Sequence, residues 1–540
     1  MVTSGGSEEL TLEGAAPETP RRKRRLAQST AIFALATGLS RVLGLVREIV
    51  AAYYFGASGK INAFTVAFQV PNLIRALVAD AALSSAFVPV FSELLVKGDR
   101  ARAWRVASSV LWLMLLGLGG VTAVCMLAAP LIIAPFGLPV NYEHLAVTLS
   151  RILFPIVTLL GVSGVFVGIL NSYEHFTVPA LSPVFWNLAI ILGLVLGVPQ
   201  ANSVNGELYV YAGAILIGTV IQTLLPLPWV TGLDGRLRMV LDWRDPAVKR
   251  IFVLMVPVTL SLGLINFNAV VDTLFASRLI DPRLAPTAID KAFRIYMLPQ
   301  GIFSVAVATV LFPALSRLAA REDFDGFRET VSLGLRQIGF LLLPASAVVA
   351  VLAYPSVRLL YQRGEFTSAQ TPVVAGALAA FALGLTFNGT MLMLNRAFFS
   401  LQENWIPTLV ALANLGLNAA FDAVFYRLGV WGIPLATAVV NIAGTAVLLY
   451  LLHRRLGRLG GGRIAETYGL VALASAVAAA AGFGAWWALD HELGNSLAAQ
   501  ITSLLVGLVA AADAYLICCI LLRIRELDAL LSLRPRARNR

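Results

Sequence analysis

Four arginines lie inside long apolar segments of this chain, where a charged side chain is costly. Arg41 and Arg47 lie in the first segment, Arg75 in the second, and Arg294 near the start of the eighth. An arginine at the centre of a membrane-spanning helix costs roughly 2.5–3.5 kcal/mol, so we expect these side chains to face a polar cavity. A guanidinium group stays charged and can bind two phosphate oxygens at once. The pattern predicts a transporter whose cavity binds an anionic, phosphate-bearing substrate.

The composition indicates a protein that crosses a membrane many times. Hydrophobic residues are 58% and charged residues 13% of the 540, whereas a soluble domain carries about 25% charged residues. The mean hydropathy is +0.80. Apolar runs of about 20 residues predict an all-α polytopic membrane protein with about fourteen transmembrane helices. The predicted spans are 29–55, 61–95, 104–134, 145–171, 178–198, 207–230, 247–278, 288–320, 328–353, 371–400, 405–427, 430–452, 465–489 and 497–522.

The basic residues cluster on one side of the predicted membrane. With the N-terminus inside, the clusters fall in segments 21–25, 97–105, 236–250, 317–328, 454–463 and 523–540. The positive-inside rule then places both termini in the cytoplasm. This topology explains the net charge of +11, so the charge is no argument for nucleic acid, and basic tails can contact anionic membrane lipids.

The chain also shows an internal repeat. Four pairs of matching positions are separated by about 224–228 residues, which predicts a duplicated six-helix unit with a substrate site between the copies. The pairs are Pro89 and Pro313, Pro130 and Pro355, Leu170-Asn171 and Leu394-Asn395, and Pro179 and Pro407. We therefore predict a disordered basic leader (1–28), an N-lobe (29–230), a C-lobe (231–452), an appended helix pair (453–523) and a basic cytoplasmic tail (524–540).

Prolines inside the predicted spans favour a protein whose helices move. Pro71, Pro89, Pro155 and Pro299 are among them. Each removes a backbone donor, and such kinks are tolerated where neighbouring helices or cavity water satisfy the freed carbonyl groups. As a set they favour a rocking transporter over a rigid scaffold.

The string SRVLGLVRE at residues 40–48 is the most specific in the chain. It places Arg41 and Glu48 nearly on one helical stripe and Arg47 to the side, so Glu48 can neutralise one arginine while the other stays free. In the second span Asp80 follows Arg75 by five positions, close enough to share a cavity. The alternative is that these charges form internal salt bridges that only hold helices together.

A second set of polar residues lies in spans 7 and 11. Asn414, Asn418 and Asp422 follow one another at intervals of four, as do Asn268 and Asp272, and that spacing puts each set on one helix face. Carboxylate and amide oxygens that converge inside a membrane suit a hard cation. The alternative is that they form hydrogen bonds between helices, which contribute about 0.6–1.7 kcal/mol each.

The first two spans resemble a known family. SRVLGLVRE, followed by FGAS and by NAFTVAFQVPNLIRALVADAALSSAFVPVFSE, is similar to the signature of the MviN/MurJ family. Its members are lipid II flippases of the multidrug/oligosaccharidyl-lipid/polysaccharide exporter superfamily. The similarity extends from residue 29 to about 523. It implies a fourteen-helix flippase of the bacterial cytoplasmic membrane that moves lipid-linked peptidoglycan precursor outward, with the last two helices forming a groove for the polyprenyl tail.

The resemblance also assigns roles to residues. It implies that the diphosphate-sugar head binds in a cationic cavity whose arginines are Arg41, Arg47, Arg75 and Arg294, with Ser40, Glu48 and Asp80 beside them. Asn62 stands where many members have aspartate. Some members have a sodium site between helices 7, 11 and 12, and the matching positions here are Asp272, Asn418, Asp422, Thr437 and the carbonyl of Ile433.

Three classes of function are compatible with a polytopic membrane protein. A lipid II flippase, acting as a monomer with no cofactor beyond a sodium coupling ion, fits best, and a flippase for another lipid-linked oligosaccharide is the nearest alternative. A cation/drug antiporter would need acidic cavity walls, and a scaffold has little use for buried arginines. An enzyme is disfavoured, because the four histidines show no metal-ligand or nucleophile–base spacing. Protons, or the membrane potential alone, remain alternatives to sodium coupling.

Overall fold

The structure, a computed structural model, describes residues 20–78, 80–457 and 459–527. That part of the chain is helical and contains no strand, so the predicted all-α fold is confirmed. Its helices are α1 (Pro20–Phe55), α2 (Ile61–Val78), α3 (Asp80–Val96), α4 (Arg100–Leu127), α5 (Ala129–Ile133), α6 (Val140–Leu153), α7 (Pro155–Ser172), α8 (Thr177–Gly197), α9 (Val204–Leu224), α10 (Leu227–Thr231), α11 (Pro246–Phe275), α12 (Ala285–Pro299), α13 (Val305–Ala320), α14 (Phe324–Val351), α15 (Ala353–Tyr361), α16 (Gln370–Ser400), α17 (Trp405–Phe425), α18 (Gly432–Leu456), α19 (Gly461–Leu493) and α20 (Leu497–Leu521).

Ten segments of the described residues are long and apolar enough to cross a membrane. They match ten of the predicted spans. The other predicted spans are the first, second, seventh and eighth, and each carries a charged residue of a predicted site: Arg41, Arg75, Asp272 and Arg294 respectively. Charges inside a membrane protein are tolerated where helices line a polar interior. We therefore expect these four charged side chains to face a polar interior.

The first helix begins earlier than the sequence predicted. α1 starts at Pro20, so residues 20–28 of the predicted leader belong to this helix, and residues 1–19 lie outside the described part. Proline is favoured at the first position of a helix. The arginines, lysine, leucine, alanine and glutamine that follow are good helix formers, and they extend the helix of the first span toward the N-terminus.

Several predicted spans consist of two helices. α2 and α3 together fill the second span, while α12, a π-helical turn over Gln300–Ser304 and α13 fill the eighth. Pro155 opens α7 and Pro299 ends α12, as expected where proline removes a backbone donor. Pro71 and Pro89 instead lie inside α2 and α3. The span that carries Arg294 is thus interrupted near its middle.

Buried apolar side chains form separate clusters along the chain. Two clusters are built from residues 51–251. A third is built from residues 276–459, joined by Ala52 and Ala57. A fourth combines α19 and α20 with Phe340 of α14. Ala52 near the end of α1 and Ala57 just after it therefore enter the core of the second half.

The last two helices are tied to α14 and α15 at both ends. Arg358 Nη1 donates to Asp490 Oδ2 at 2.8 Å, and Arg336 Nη1 donates to Glu526 Oε1 at 2.6 Å. Glu526 is buried, as are Ile524 and Leu527 beside it. Residues 524–527 of the predicted tail therefore pack against the protein, and residues 528–540 lie outside the described part.

The turn between α1 and α2 forms a polar seam with the second half of the chain. Asn62 Nδ2 donates to the carbonyl of Arg283 at 2.6 Å, and its Oδ1 accepts from the backbone N–H of Thr287 at 2.9 Å. The side chain of Gln370 accepts from the backbone N–H of Ala57 at 2.8 Å. These contacts bring α1 against α12 and so position the charged residues of the two helices.

Candidate functional site

Glu48 lies at the centre of a cluster of cations that joins α1 to α12. Arg47 Nη2 donates to Glu48 Oε1 at 2.7 Å, and Lys291 Nζ donates to Oε2 at 2.8 Å. Arg294 Nε lies 3.9 Å from Oε1. Glu48 is 6% exposed. A carboxylate this deeply buried is stable only when it is paired and hydrogen-bonded, and both conditions are met here.

The cluster carries more positive than negative charge. Its cations are Arg47, Lys291 and Arg294, and its carboxylates are Glu48 and Asp290, which accepts from Arg294 Nη2 at 3.1 Å. One positive charge is therefore in surplus. The side chain of Arg294 is 39% exposed, so that surplus is accessible to an anion.

Lys291 was missed in the sequence analysis. It lies inside the eighth predicted span, and its side chain is 5% exposed. The rule that singled out Arg294, a charge inside an apolar span, also applies to Lys291. Lys291 belongs to the site because the buried carboxylate of Glu48 pairs with it as well as with Arg47.

Arg41 and Ser40 lie about two turns before Glu48 on α1. The side chain of Arg41 is exposed and reaches the π-helical turn of the eighth span, where a Cβ placed on Gly301 would lie 3.0 Å from Arg41 Nη1. Asn187 Nδ2 donates to the carbonyl of Ser40 at 3.3 Å. Arg41 is thus more accessible than Arg47, the other arginine of the 40–48 motif.

Arg47 is held more firmly than Arg41. Its Nη1 donates to Asn187 Oδ1 at 3.3 Å, and its guanidinium carbon lies 4.7 Å from the centre of the Trp186 ring. A cation over an indole face is attracted by the ring quadrupole. Together with the bond to Glu48, these contacts fix the guanidinium on α8, and they give Arg47 a structural role in addition to its charge.

Arg75 is placed on α2 by a contact within its own helix. Its Nε and Nη2 donate to Asn72 Oδ1 at 3.1 and 2.8 Å. The guanidinium is half-buried. The side chain of Asp80, its predicted acidic neighbour, lies outside the part of the chain that the structure describes.

Asp272, Asn418 and Asp422 meet between α11 and α17. Asn418 Nδ2 donates to Asp272 Oδ1 at 2.6 Å and to Asp422 Oδ2 at 3.1 Å. Asn268 Nδ2 lies 3.3 Å from Asp272 Oδ2. The predicted convergence of the two helix faces is therefore present in the structure.

Two oxygens of this group are buried without a hydrogen-bond partner among the described residues, Asn418 Oδ1 and Asp422 Oδ1. An oxygen left unsatisfied in this way costs about 1–3 kcal/mol. A hard cation takes such oxygen ligands, so the donor set fits a bound cation. The fit rests on these two orphaned atoms and on the two carboxylates beside them.

The remaining predicted ligands are linked to each other. Thr437 Oγ1 donates to the carbonyl of Ile433 at 3.4 Å, within α18. In the residues described, no group of three or more His, Cys, Asp and Glu side chains is arranged to hold a metal ion. A cation here would therefore depend on amide and carbonyl oxygens as well as the two carboxylates.

The sequence is similar to known lipid II flippases along most of its length. The family model described as Lipid II flippase MurJ matches residues 51–502, a range that follows the 40–48 motif and includes Arg75, Lys291, Arg294 and the Asp272 group. A probable lipid II flippase MurJ of Synechocystis sp. is 31% identical over 475 residues, covering 86% of this chain and 88% of the relative. Lipid II flippase MurJ of Burkholderia cenocepacia is 31% identical over 434 residues, covering 78% and 82%.

Solved structures of two transporter types share this fold. A lipid II flippase MurJ in an inward closed conformation superposes with a TM-score of 0.75 at 25% identity, covering 91% of this chain and 99% of that one. An inward-facing multidrug resistance transporter of the MATE family gives a TM-score of 0.65 at 19% identity, covering 78% and 96%. The second likeness concerns the fold alone.

Proposed function

Since the chain belongs to the MurJ family of lipid II flippases, we propose that it moves lipid II from the cytoplasmic to the outer leaflet of a bacterial membrane by alternating access. One observation supports this most directly: the cation-rich cluster around Glu48 lies between α1 and α12 with one positive charge in surplus. A lipid-linked diphosphate is an anion that such a cluster attracts. Transport of this kind makes and breaks no covalent bond, so we propose no catalytic residue.

Arg41 and Arg294 are the cations that first meet the diphosphate in this proposal. Both are accessible, and a guanidinium binds phosphate oxygens through paired, charge-assisted hydrogen bonds. Arg75 adds a third charge from α2. Arg47 and Lys291 hold Glu48 in place and keep the net charge of the cluster positive. An antiporter for cationic drugs is disfavoured, because a cation would be repelled by this surplus.

The lipid tail is proposed to lie beside α19. A cavity of about 1400 Å³ is lined by residues of α14, α16, α18 and α19. Leu335, Phe387 and Leu449 contribute apolar walls, while Arg336 and Arg463 lie on the lining as well. A cavity with apolar walls and basic groups on its lining is compatible in polarity with a polyprenyl diphosphate. This supports a groove between the C-lobe (231–452) and the appended pair (453–523).

The topology that we propose has both termini in the cytoplasm, in the bacterial cytoplasmic membrane. The support is the basic clusters, which fall on one side of the spans. In this orientation the seam at Asn62 closes the outer end of the space between the lobes. We propose that the chain acts as a monomer, because the cluster around Glu48 is complete within one chain.

We further propose that Asp272, Asn418 and Asp422 hold sodium, with Thr437 and the carbonyl of Ile433 as additional ligands. The orphaned oxygens of Asn418 and Asp422 support this. A bound monovalent ion would neutralise part of the negative charge and couple the lobe movement to the membrane potential, which contributes about 2.3 kcal/mol per charge per 100 mV. A proton shared by the two carboxylates is the alternative.

The decisive experiment replaces the endogenous lipid II flippase of a bacterium with this chain in a depletion strain. We expect the parent chain to restore growth and Arg75→Ala to fail, although the variant is inserted in the membrane at the parent level. Arg321→Ala, which removes an exposed arginine outside the site, is the matched control. Failure of the parent chain, or full growth with Arg75→Ala, would contradict the proposal.

A further inference from the structure

The segment that connects α10 to α11 lies across α4. We call residues 233–245 the strap. The backbone N–H of Arg238 donates to Ser108 Oγ at 3.0 Å, and the indole N–H of Trp112 donates to the carbonyl of Arg238 at 3.1 Å. Further along, the backbone N–H of Asp242 donates to Ser109 Oγ at 3.1 Å. The strap therefore has a defined position on one face of α4.

Ion pairs hold both ends of the strap on the first turn of α4. Arg100 Nη1 lies 2.9 Å from Asp234 Oδ2, and Asp234 also accepts from the hydroxyl of Tyr173. Arg102 Nη2 donates to Asp245 Oδ1 at 3.1 Å. The hydrogen bond from Arg102 lowers the pKa of Asp245 below its usual range, so this pair stays charged at neutral pH.

The face of α4 under the strap is the face that meets lipid. Ser109, which holds the strap, shares a stripe of α4 with Leu116 and Leu127, because spacings of seven and eleven residues keep the three positions within about 20° of one another around the helix. Leu116 and Leu127 are 58% and 81% exposed. Because α4 is apolar and long enough to cross a membrane, exposed apolar side chains on it contact acyl chains. The strap covers the first part of this lipid-facing stripe.

The depth of the strap follows from the charges of α4. Arg100, Arg102 and Arg105 precede a run from Val106 to Leu127 that contains no charged residue. At 1.5 Å per residue this run spans about 33 Å, close to the thickness of the hydrocarbon core. Ser108 and Trp112 lie in its first two turns, so the strap crosses α4 near the boundary between headgroups and acyl chains.

The outward side of the strap has the composition of an interfacial element. Met239, Leu241 and Trp243 are 83%, 49% and 55% exposed. They alternate with Val240 and Asp242, which are half-buried. Exposed apolar side chains at this depth avoid water by entering the acyl boundary, and tryptophan favours this zone.

Three exposed arginines flank these apolar side chains: Arg236, Arg238 and Arg244. The acidic groups at the two ends of the strap, Asp234 and Asp245, are paired with α4 arginines, and Asp242 Oδ1 accepts from the backbone N–H of Arg244 at 3.3 Å. One carboxylate thus remains against three arginines. The outward charge of the strap is therefore positive. We propose that the strap is a binding surface for anionic phospholipid, with Met239, Leu241 and Trp243 in the acyl boundary and the arginines on the phosphate groups.

The first test measures where Trp243 lies. The full chain and Trp243→Phe are placed in nanodiscs of phosphatidylcholine and phosphatidylglycerol, and the difference of their fluorescence isolates the emission of Trp243. We expect quenching of this emission by lipids brominated near the headgroup and protection from aqueous iodide. Quenching by iodide with no effect of the brominated lipids would place the strap in water, open to a soluble partner, and would overturn the proposal.

The second test measures headgroup preference by the lipid that co-purifies with the chain. Arg236→Gln/Arg238→Gln/Arg244→Gln is compared with Arg317→Gln/Arg321→Gln/Arg454→Gln, which removes the same charge from exposed arginines elsewhere. We expect the ratio of bound phosphatidylglycerol to phosphatidylcholine to fall about threefold or more in the strap variant only. Equal ratios in the two variants would overturn the proposal. Neither readout depends on transport of lipid II, so both are independent of the proposed function.

Discussion

Lys291 Nζ lies 2.8 Å from Glu48 Oε2, although the two residues are 243 positions apart in the chain. Both side chains are buried, at 5% and 7% exposure. The pair joins α1 of the first half to α12 of the second, beside the seam formed by Asn62. If the halves separate to release substrate on that side, as alternating access requires, this pair must break. The site that we propose attracts the substrate is therefore also part of the closed contact between the halves.

The first prediction concerns this pair. Lys291→Met should destabilise the closed form by roughly 2–3 kcal/mol, less than the 3–5 kcal/mol typical when one partner of a buried pair is removed, because Arg47 still contacts Glu48. Thermal unfolding of the purified protein measures the loss. In a double-mutant cycle with Glu48→Gln, the combined variant should lose less than the two single losses together. Strictly additive losses would show that the pair has no coupling energy.

The two arginines of the 40–48 motif should differ in what they contribute. Arg41→Ala should lower flipping roughly 10–100-fold with little change in thermal stability, since one charge-assisted contact of about 1.5–3 kcal/mol to the diphosphate is lost. Arg47→Ala should lower both, because Arg47 also contacts Glu48, Asn187 and Trp186. Reconstituted flipping assays and melting curves of the same preparations separate the effects. Equal melting temperatures of Arg41→Ala and Arg47→Ala would contradict this difference between the two arginines.

Sodium should stabilise the parent chain through Asp422. At a concentration one hundred times the dissociation constant, a bound ion adds about 2.7 kcal/mol. A titration of melting temperature with sodium chloride against choline chloride measures this, and Asp422→Asn should flatten the curve. Asp513→Asn, which removes an exposed carboxylate of α20, is the control. Identical curves for the parent and Asp422→Asn would leave hydrogen bonding between helices as the role of the group.

Asn62→Asp should loosen the seam. The amide of Asn62 donates to the carbonyls of Ala57, Gly59 and Arg283, and an ionised carboxylate would face those carbonyls with no proton to donate. Each unsatisfied buried group costs about 1–3 kcal/mol, so the closed seam should be populated less.

Oxidative cross-linking of Ser58→Cys with Gln370→Cys measures closure of the seam, since the two side chains are hydrogen-bonded at 2.7 Å in the parent. We expect slower cross-linking in the Asn62→Asp background at neutral pH, with recovery at low pH, where the carboxyl regains a proton. Asn202→Asp, on an exposed residue, should leave the rate unchanged. Cross-linking as fast as in the parent at neutral pH would show that Asn62 does not hold the seam closed.

The sequence by itself determined the helical membrane fold and the residues that could bear charge inside it. The cost of placing Arg41 or Asp272 in an apolar helix depends on composition alone, so the charges of the first, second, seventh and eighth spans stand out in the sequence itself. The same holds for Asn418 and Asp422, whose spacing by four puts them on one helix face. These inferences need only the helical spacing of neighbouring residues and the free energy of transferring a charged side chain into the membrane.

Tertiary structure decided which charges meet. Glu48 pairs with Lys291 as well as with its neighbour Arg47, and Asn418 bridges Asp272 and Asp422 across two helices. Such pairings depend on how helices that are far apart in sequence are placed against each other. The spacing of residues within one helix does not determine that placement. The helix break before Pro155 could be foreseen from proline chemistry. The strap across α4 could not, because its position depends on Ser108 and Trp112, which have no unusual sequence pattern and receive the strap only once the chain has folded.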